Sequence, residues 1–259
     1  MPAAGLIVTS FRTTDAVNSS GWWHVVIPPL DPAQFTLDNY RQAWNGGMAE
    51  SYLSSLAVTL PAVFIPLLIA GFAAYAFTFM TFPGRTILFP LIVSLLIVPS
   101  QVALAPLLRI YSDVHLNGTY AAVYLAHIGF GMPLAVFLLR AFMANLPRAV
   151  IDCARVDGAS HFHVFWRVVV PMSAPAFAAF AVFQFLSVWN DLLIALIFLN
   201  EGPLQTVTMT LGGQIGQVGG RGWQAVSGAA LIALSVPVLV SLVLQRYFIR
   251  GLTTGSVGG

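Results

Sequence analysis

Five stretches of this chain contain no Asp, Glu, Lys or Arg: residues 51–84, 86–108, 114–139, 168–190 and 222–245. They hold 34, 23, 26, 23 and 24 residues, each longer than the ~20 that an α-helix needs to cross a ~30 Å hydrocarbon core. Backbone N–H and C=O groups in lipid must be satisfied within the chain, so runs of this length are helices. Strands of a membrane barrel would alternate apolar and polar residues in short segments, which these runs do not. The fold class is therefore an all-α transmembrane bundle. Five full spans are expected, at roughly 52–80, 86–108, 118–140, 172–198 and 225–247.

Composition supports the same class and removes others. The chain is 58% hydrophobic and 8% charged, too few charges to cover the surface of a soluble domain of this size. It contains no lysine, and its net charge of +2 provides no basic surface for nucleic acid. The single cysteine, Cys153, permits no internal disulfide and is no metal site by itself. The apolar run Ala3–Val8 is too short to span and lacks the positive region that precedes a signal peptide. It reads as a flexible external end or as the last turns of a helix begun earlier.

Arginines near the span ends set the expected orientation. With alternating spans, one side receives Arg85, Arg140, Arg148, Arg155, Arg167, Arg246 and Arg250. The other receives Arg12, Arg41, Arg109 and Arg221. The first side is expected to be cytoplasmic, together with the C-terminus. Residues 1–50 are then an N-terminal remnant and an extracytoplasmic segment, 51–250 the membrane domain and 251–259 a cytoplasmic tail.

One polar segment interrupts the apolar runs. Residues 148–171 read RAVIDCARVDGASHFHVFWRVVVP. Pro147 suits the start of a helix over 148–157, with Asn145 as a possible cap. Gly158 is the residue type that ends such a helix in the left-handed conformation. Ser160 can cap a second short helix carrying Phe162, Phe165 and Trp166, and Pro171 would open the next span. Asp152 and Asp157 are interleaved with arginines, which suits salt bridges better than paired acid/base catalysis.

Polar residues within the spans raise a second question. Asp191 is expected near the outer end of a span beside Trp189 and Asn190. It is either an interface residue with an aromatic partner or part of a path lined for a polar solute. Gln184, Gln101 and Ser94 are further candidates for that lining, while His127 reads as a hydrogen-bonded packing residue. Prolines 61, 66, 90, 99, 106, 133, 175 and 237 predict kinks. Small residues such as Gly71, Ala73, Ala74, Gly129, Gly131 and Gly228–Ala230 predict close helix packing. The glycine-rich 211–222 stretch predicts a flexible external loop able to meet a binding protein.

The polar segment resembles the "EAA" loop of ABC-importer permeases, which reads Glu-Ala-Ala, three residues, Gly and, about a dozen residues later, Pro. Asp152 stands for the Glu and Cys153 for the first Ala, while Ala154, Asp157-Gly158-Ala159 and Pro171 fit. Thr36-Leu37-Asp38-Asn39-Tyr40, Val188-Trp189-Asn190-Asp191 and the tail Gln245-Arg246 through Gly251-Leu252-Thr253 and Gly255 resemble further motifs of the carbohydrate, maltose-type branch, smaller permease subunit. The resemblance covers residues 9–259. It implies a permease of a sugar importer in the bacterial inner membrane, with a second permease, two ATP-binding subunits and an extracytoplasmic solute-binding protein. It further implies that 145–171 is a coupling loop, that Gly251, Leu252 and Thr253 make a tail contact, and that the family's first of six spans is missing or truncated here. No cofactor is implied. No P-loop lysine exists in the chain, so ATP chemistry would lie on other chains. Rival readings are a permease for glycerol phosphate or a polyol, a secondary transporter working alone, and a non-transporting membrane protein.

Overall fold

A computed structural model describes residues 2–26, 31–200, 203–217 and 222–253. The first segment is a short helix, α1 (Pro2–Ser10), followed by α2 (Thr14–Ser19) and α3 (Asp38–Ala43). Arg12 and Asn39 tie these together. The Asn39 amide donates to the carbonyls of Ser10 and Arg12, both at 2.8 Å. The buried Arg12 guanidinium donates to the carbonyls of Ala16 and Ser20. Phe11 packs on Tyr40 with ring centroids 5.1 Å apart. The Thr36–Tyr40 motif is thus a staple that fixes the chain's entry into the bundle.

α3 runs into α4 (Ala49–Phe79) across a kink at Gly46 and Gly47, where φ of Gly47 is +99°. That backbone conformation is strained for a residue with a Cβ and favours glycine. α4 is the central helix and packs along α7 (Tyr120–Met143). Much of its inward face is small or hydroxylated, with Ser51, Ser54, Ser55, Thr59, Ala62, Ala70 and Ala74 buried, while Tyr75 and Phe77 are buried near its end. Its large side chains Leu53, Phe64, Leu68 and Phe72 point outward. Small residues inside and large apolar residues outside is the arrangement expected where lipid, not water, surrounds the bundle.

Two of the five predicted spans are not straight. α5 (Arg85–Ser94) continues through a tight turn to Ile97 and then bends by 100° into α6 (Ser100–Asp113). Val98 and Pro99 are both extended, with ψ of 117° and 125°; a residue before proline is pushed out of the helical region. After α8 (Arg148–Val156), the helix formed by α9 (His161–Val164), a π-type turn at Phe165–Val169 and α10 (Val170–Met172) bends by 75° at Ser173 into α11 (Ala174–Trp189). Pro175 has no N–H for the carbonyl of Pro171, so the ladder is interrupted there. Pro171 therefore lies within the approach helix rather than opening the span.

The predicted 172–198 span also ends early. α11 stops at Trp189 and a separate α12 (Leu193–Leu199) follows. The glycine-rich stretch is corrected more fully, because α13 (Val207–Gln217) is a helix packed on α4 and on α14 (Trp223–Thr253). Residues 218–221 and 254–259 of the expected loop and tail lie outside the described residues. Gly251, Leu252 and Thr253 form the last turn of α14, and their side chains also lie outside the described residues.

Candidate coupling elbow and polar span residues

α8, α9 and the turn between them form an elbow whose shape comes from its backbone. Asp157 ends α8 and Gly158 follows at φ +83°. The Gly158 N–H donates to Arg155 O and the Ala159 N–H to Ala154 O, each at 3.0 Å. This pair of bonds is a Schellman cap, which takes a left-handed residue at the glycine position and is frequently accompanied by an apolar pair flanking it. Ala154 and Ala159, both half-buried, are that pair. The sequence pattern Ala154…Gly158-Ala159 is thereby explained as helix-ending chemistry. Ser160 then caps α9, its hydroxyl accepting from the N–H of His163 at 3.3 Å. Asn145 does not cap α8. Its amide donates to Ala141 O at 2.9 Å, satisfying the end of α7, and Pro147 begins α8 without a side-chain cap.

The elbow is anchored on one side and bare on the other. Ile151, 3% exposed, enters a core formed with Ala74, Leu139, Met143, Val164 and Phe165. Phe72 of α4 stacks on Phe165 at 4.4 Å and lies edge-on to Trp166 at 6.1 Å. The Tyr75 hydroxyl and His161 Nδ1 are 2.9 Å apart. Facing away are Val150, Cys153 and Val156, three apart along α8, with Val156 87% exposed. Phe162 and Trp166 are also partly exposed, each with its ring against Phe72 of α4. Asp152 and Asp157 are also exposed, and neither makes an ion pair among the described residues. The elbow therefore exposes valines and charged side chains that have no ion-pair partner among the described residues.

The polar residues of the spans behave differently. Gln184 is 4% exposed and its amide donates to the carbonyls of Ala62 and His127 at 3.3 and 3.2 Å. It bridges three helices and needs Gly131, where a Cβ would come within 2.6 Å of its amide. Trp189 is buried, donates to Ala233 O at 3.1 Å and stacks on Phe185. Asn190 is exposed and donates back to Leu186 O at 2.8 Å.

Asp191 sits in the break before α12. Its carboxylate accepts the N–H groups of Ile194 at 2.9 Å and Ala195 at 3.2 Å. Its backbone carbonyl accepts from Thr208 at 2.7 Å, and His127 Nε2 lies 3.7 Å from the carboxylate. Ser94 donates within its own helix, to Leu91 O. Gln101 alone opens onto a large cavity, about 790 Å³, between the α5–α6 bend and α7. Trp189, Asn190 and Asp191 are therefore brought together at one break, while Gln184 and Gln101 stand apart.

Reading for isolated polar residues missed a further set. Ser54 bonds Tyr120 at 2.8 Å, Ser55 accepts the N–H of Val207 at 2.8 Å, and Ser51 bonds Thr210. The signal was present as Ser51, Ser54, Ser55 and Thr59, which share one face at helical spacing. Tyr111 and Phe130 in the large cavity were also missed, because only a bent α5–α6 pair brings them together.

The described residues form an all-α, multi-pass membrane bundle with two bent helix pairs and an exposed helical elbow at one end. The chain belongs to the family described as binding-protein-dependent transport system inner membrane component, whose model matches residues 53–254. It is 47% identical over 259 residues to the osmoprotective compounds uptake permease protein GgtD of Synechocystis sp., covering 99% of this chain and 87% of that one. It is 48% identical over 235 residues to the alpha-glucoside transport system permease protein AglG of Rhizobium meliloti, covering 88% of this chain but only 62% of that longer relative. Among solved structures it is similar to a bacterial ABC transporter involved in the import of the acidic polysaccharide alginate. That match has a TM-score of 0.75 at 18% identity, over 95% of this chain and 90% of that one. The inward-facing MetNI methionine ABC transporter matches with a TM-score of 0.59 at 14% identity, over 82% and 97%. At these identities the structural likeness establishes the fold.

Proposed function

We propose that this permease subunit carries an α-glucoside or a comparably small polyhydroxylated osmolyte into the cell, and that the α8–α9 elbow is its coupling contact with an ATP-binding subunit. The exposed face of Val150, Cys153 and Val156 on a rigidly capped helix carries the reading. The names of the two relatives near half identity support the substrate class. A second permease and two ATP-binding subunits complete the assembly, and a solute-binding protein delivers substrate from outside. ATP hydrolysis lies on the partner chains, since this one has no lysine for a P-loop.

In this assembly α8 faces the cytoplasm and so does the C-terminus, in keeping with the seven arginines on that side. Closure of the ATP-binding pair pushes on α8. The Ile151 anchor and the Phe72–Phe165 stack carry that displacement into α4, and the bends at Pro99 and Ser173 are where the spans yield. Asp152, Cys153, Ala154, Asp157, Gly158, Ala159 and Pro171 shape or flank the contact. Gln101, Trp189, Asn190, Asp191 and Gln184 are the polar residues nearest the path, with Gln101 on the open cavity and the others positioning the helices around it. Gly251, Leu252 and Thr253 extend the last helix toward the same partner.

Cys153 supplies the test, because it is the only thiol in the chain and is exposed. In inside-out vesicles, a membrane-impermeant maleimide should label it in the subunit alone. The ATP-binding subunits should block that labelling. Labelling from the external side of intact cells, or equal labelling with and without the ATP-binding subunits, would sink the proposal.

A further inference from the structure

A pocket of about 160 Å³ lies where the end of α4, the start of α5 and α8 meet, and Arg85, Arg148, Arg155, Asp152, Thr78 and Thr81 line it. Three guanidinium groups face one carboxylate. The ion pairs among the described residues are Arg41–Asp38 and His127–Asp191, so none of these four groups makes a close ion pair with another described residue. Arg85 is held at one wall by a 3.0 Å bond from Nη1 to Met80 O, which leaves the rest of its fork free. Guanidinium forks are the donors that suit a phosphate group, whereas the Thr78 hydroxyl is already donated to Ala74 O. Arginines gathered at a leaflet surface attract anionic head groups.

Immediately beyond Arg85, α5 turns Ile87, Leu88 and Leu91 outward. A free phosphate has no use for that surface, whereas a lipid tail does. We propose that this pocket binds the phosphate head group of an anionic phospholipid, whose acyl chains lie along the exposed face of α5. Basic pockets between helices on the cytoplasmic side are suited to such head groups. The proposal relies on the cytoplasmic placement of α8 given above only to put the pocket at a leaflet surface. A bound lipid would brace α8 against α4 and α5 from behind, leaving its outer face clear.

The test is native mass spectrometry of the full chain, purified with its partner subunits in detergent and titrated with dioctanoyl phosphatidylglycerol. Dioctanoyl phosphatidylcholine and inorganic phosphate form the comparison arms. Phosphatidylglycerol should bind about tenfold more tightly than phosphatidylcholine, since each basic residue adds to the preference for net negative head groups. The triple change Arg85→Ala, Arg148→Ala and Arg155→Ala should abolish that preference. Arg41→Ala, in the segment before α4, should leave it unchanged.

The triple Arg→Lys chain should keep part of the preference and so report on folding. If the triple alanine chain does not fold, Arg85→Ala and Arg148→Ala are read singly. Wild-type binding by the triple alanine chain, or by both single variants, overturns the proposal. So does equal binding of the two lipids, or displacement of phosphatidylglycerol by millimolar inorganic phosphate. None of these readings involves transport, so loss of the lipid site and loss of the coupling role are separable. In the first case Cys153 remains protected by the ATP-binding subunits.

Discussion

The α8–α9 elbow and the break at Asn190–Leu192 are both polar interruptions of an apolar chain, and they solve opposite problems. At the elbow the backbone at the end of α8 satisfies itself through the Schellman cap, and Asp152 and Asp157 are left exposed without an ion pair among the described residues. At the break a side chain satisfies the backbone, since the Asp191 carboxylate takes the first free N–H groups of α12. One site spends its polar atoms inward and the other turns them outward. Polarity in a membrane chain therefore marks either a seam or a contact, and hydrogen-bond partners tell the two apart.

Gly158→Pro should have the largest effect and should separate the two kinds of site. Proline cannot adopt φ +83° and lacks the N–H that bonds Arg155, a local cost of about 3 kcal/mol or more. Because Gly158 lies outside the spans, membrane insertion should be normal while substrate uptake falls at least ~tenfold, which corresponds to about 1.4 kcal/mol of lost coupling. Uptake into vesicles and the protection of Cys153 are the two measurements. Gly158→Ala, whose Cβ would meet nothing within 4 Å, carries only the left-handed strain of about 1–2 kcal/mol and should transport at an intermediate rate. Normal uptake in the proline variant would remove the distinction between elbow and seam.

Asp191→Ala should do the reverse. It leaves two N–H groups at the start of α12 without their acceptor, an expected cost of about 1–3 kcal/mol. The loss should appear as a lower thermal midpoint in detergent, with Cys153 still protected by the ATP-binding subunits. Asp191→Asn keeps an acceptor oxygen and should lose less than half as much. If asparagine is as damaging as alanine, the negative charge facing His127, rather than the cap, is what the seam needs.

The seam was less legible in the sequence than the elbow, for a physical reason. The elbow is local: Ala154, Gly158, Ala159 and Ser160 act within a few residues, so their spacing alone predicts a helix stop and a fresh start. The helical character of the apolar runs was equally plain, because an absence of charge over 23 or more residues leaves the backbone few options in lipid, although three of the runs form helices long enough to cross and the other two form bent pairs. Partners far apart in sequence were not. Gln184 sits over Gly131, and Ser55 holds the start of α13, pairings that only the packed bundle reveals. Pro99 marks the sharpest bend, yet Pro61 and Pro66 sit inside a continuous α4. Proline alone therefore does not say whether a span will break. The glycines of 211–217 misled for a related reason, since glycine lowers helix propensity but packing of α13 against α4 and α14 overrides it.

Gly131→Ala sharpens the account of the seam further. Its Cβ would displace the Gln184 amide from Ala62 and His127, for an expected loss of about 1–3 kcal/mol. In a Gln184→Ala background that clash is gone, so the two changes together should cost less than their sum. A thermal double-mutant cycle reads the coupling. Strict additivity would mean that Gln184 yields freely and is no bridge between the helices.

Ser160→Ala is the smallest effect and the finest probe of the elbow. The hydroxyl satisfies one of the free N–H groups at the start of α9, and losing such a cap costs about 1 kcal/mol. Ser160→Asp should keep the cap and add a negative charge at the positive end of the helix, a gain of a few tenths of a kcal/mol. α9 is also anchored by the aromatic stack with Phe72 and by the bond between Tyr75 and His161. Loss of the cap should therefore fray only its first turn, next to the Gly158 joint. Hydrogen exchange of the 160–164 amides should rise severalfold in Ser160→Ala, with the amides of α8 unchanged. If protection in α8 falls by the same factor, the two helices open as one unit and the glycine between them is not a joint.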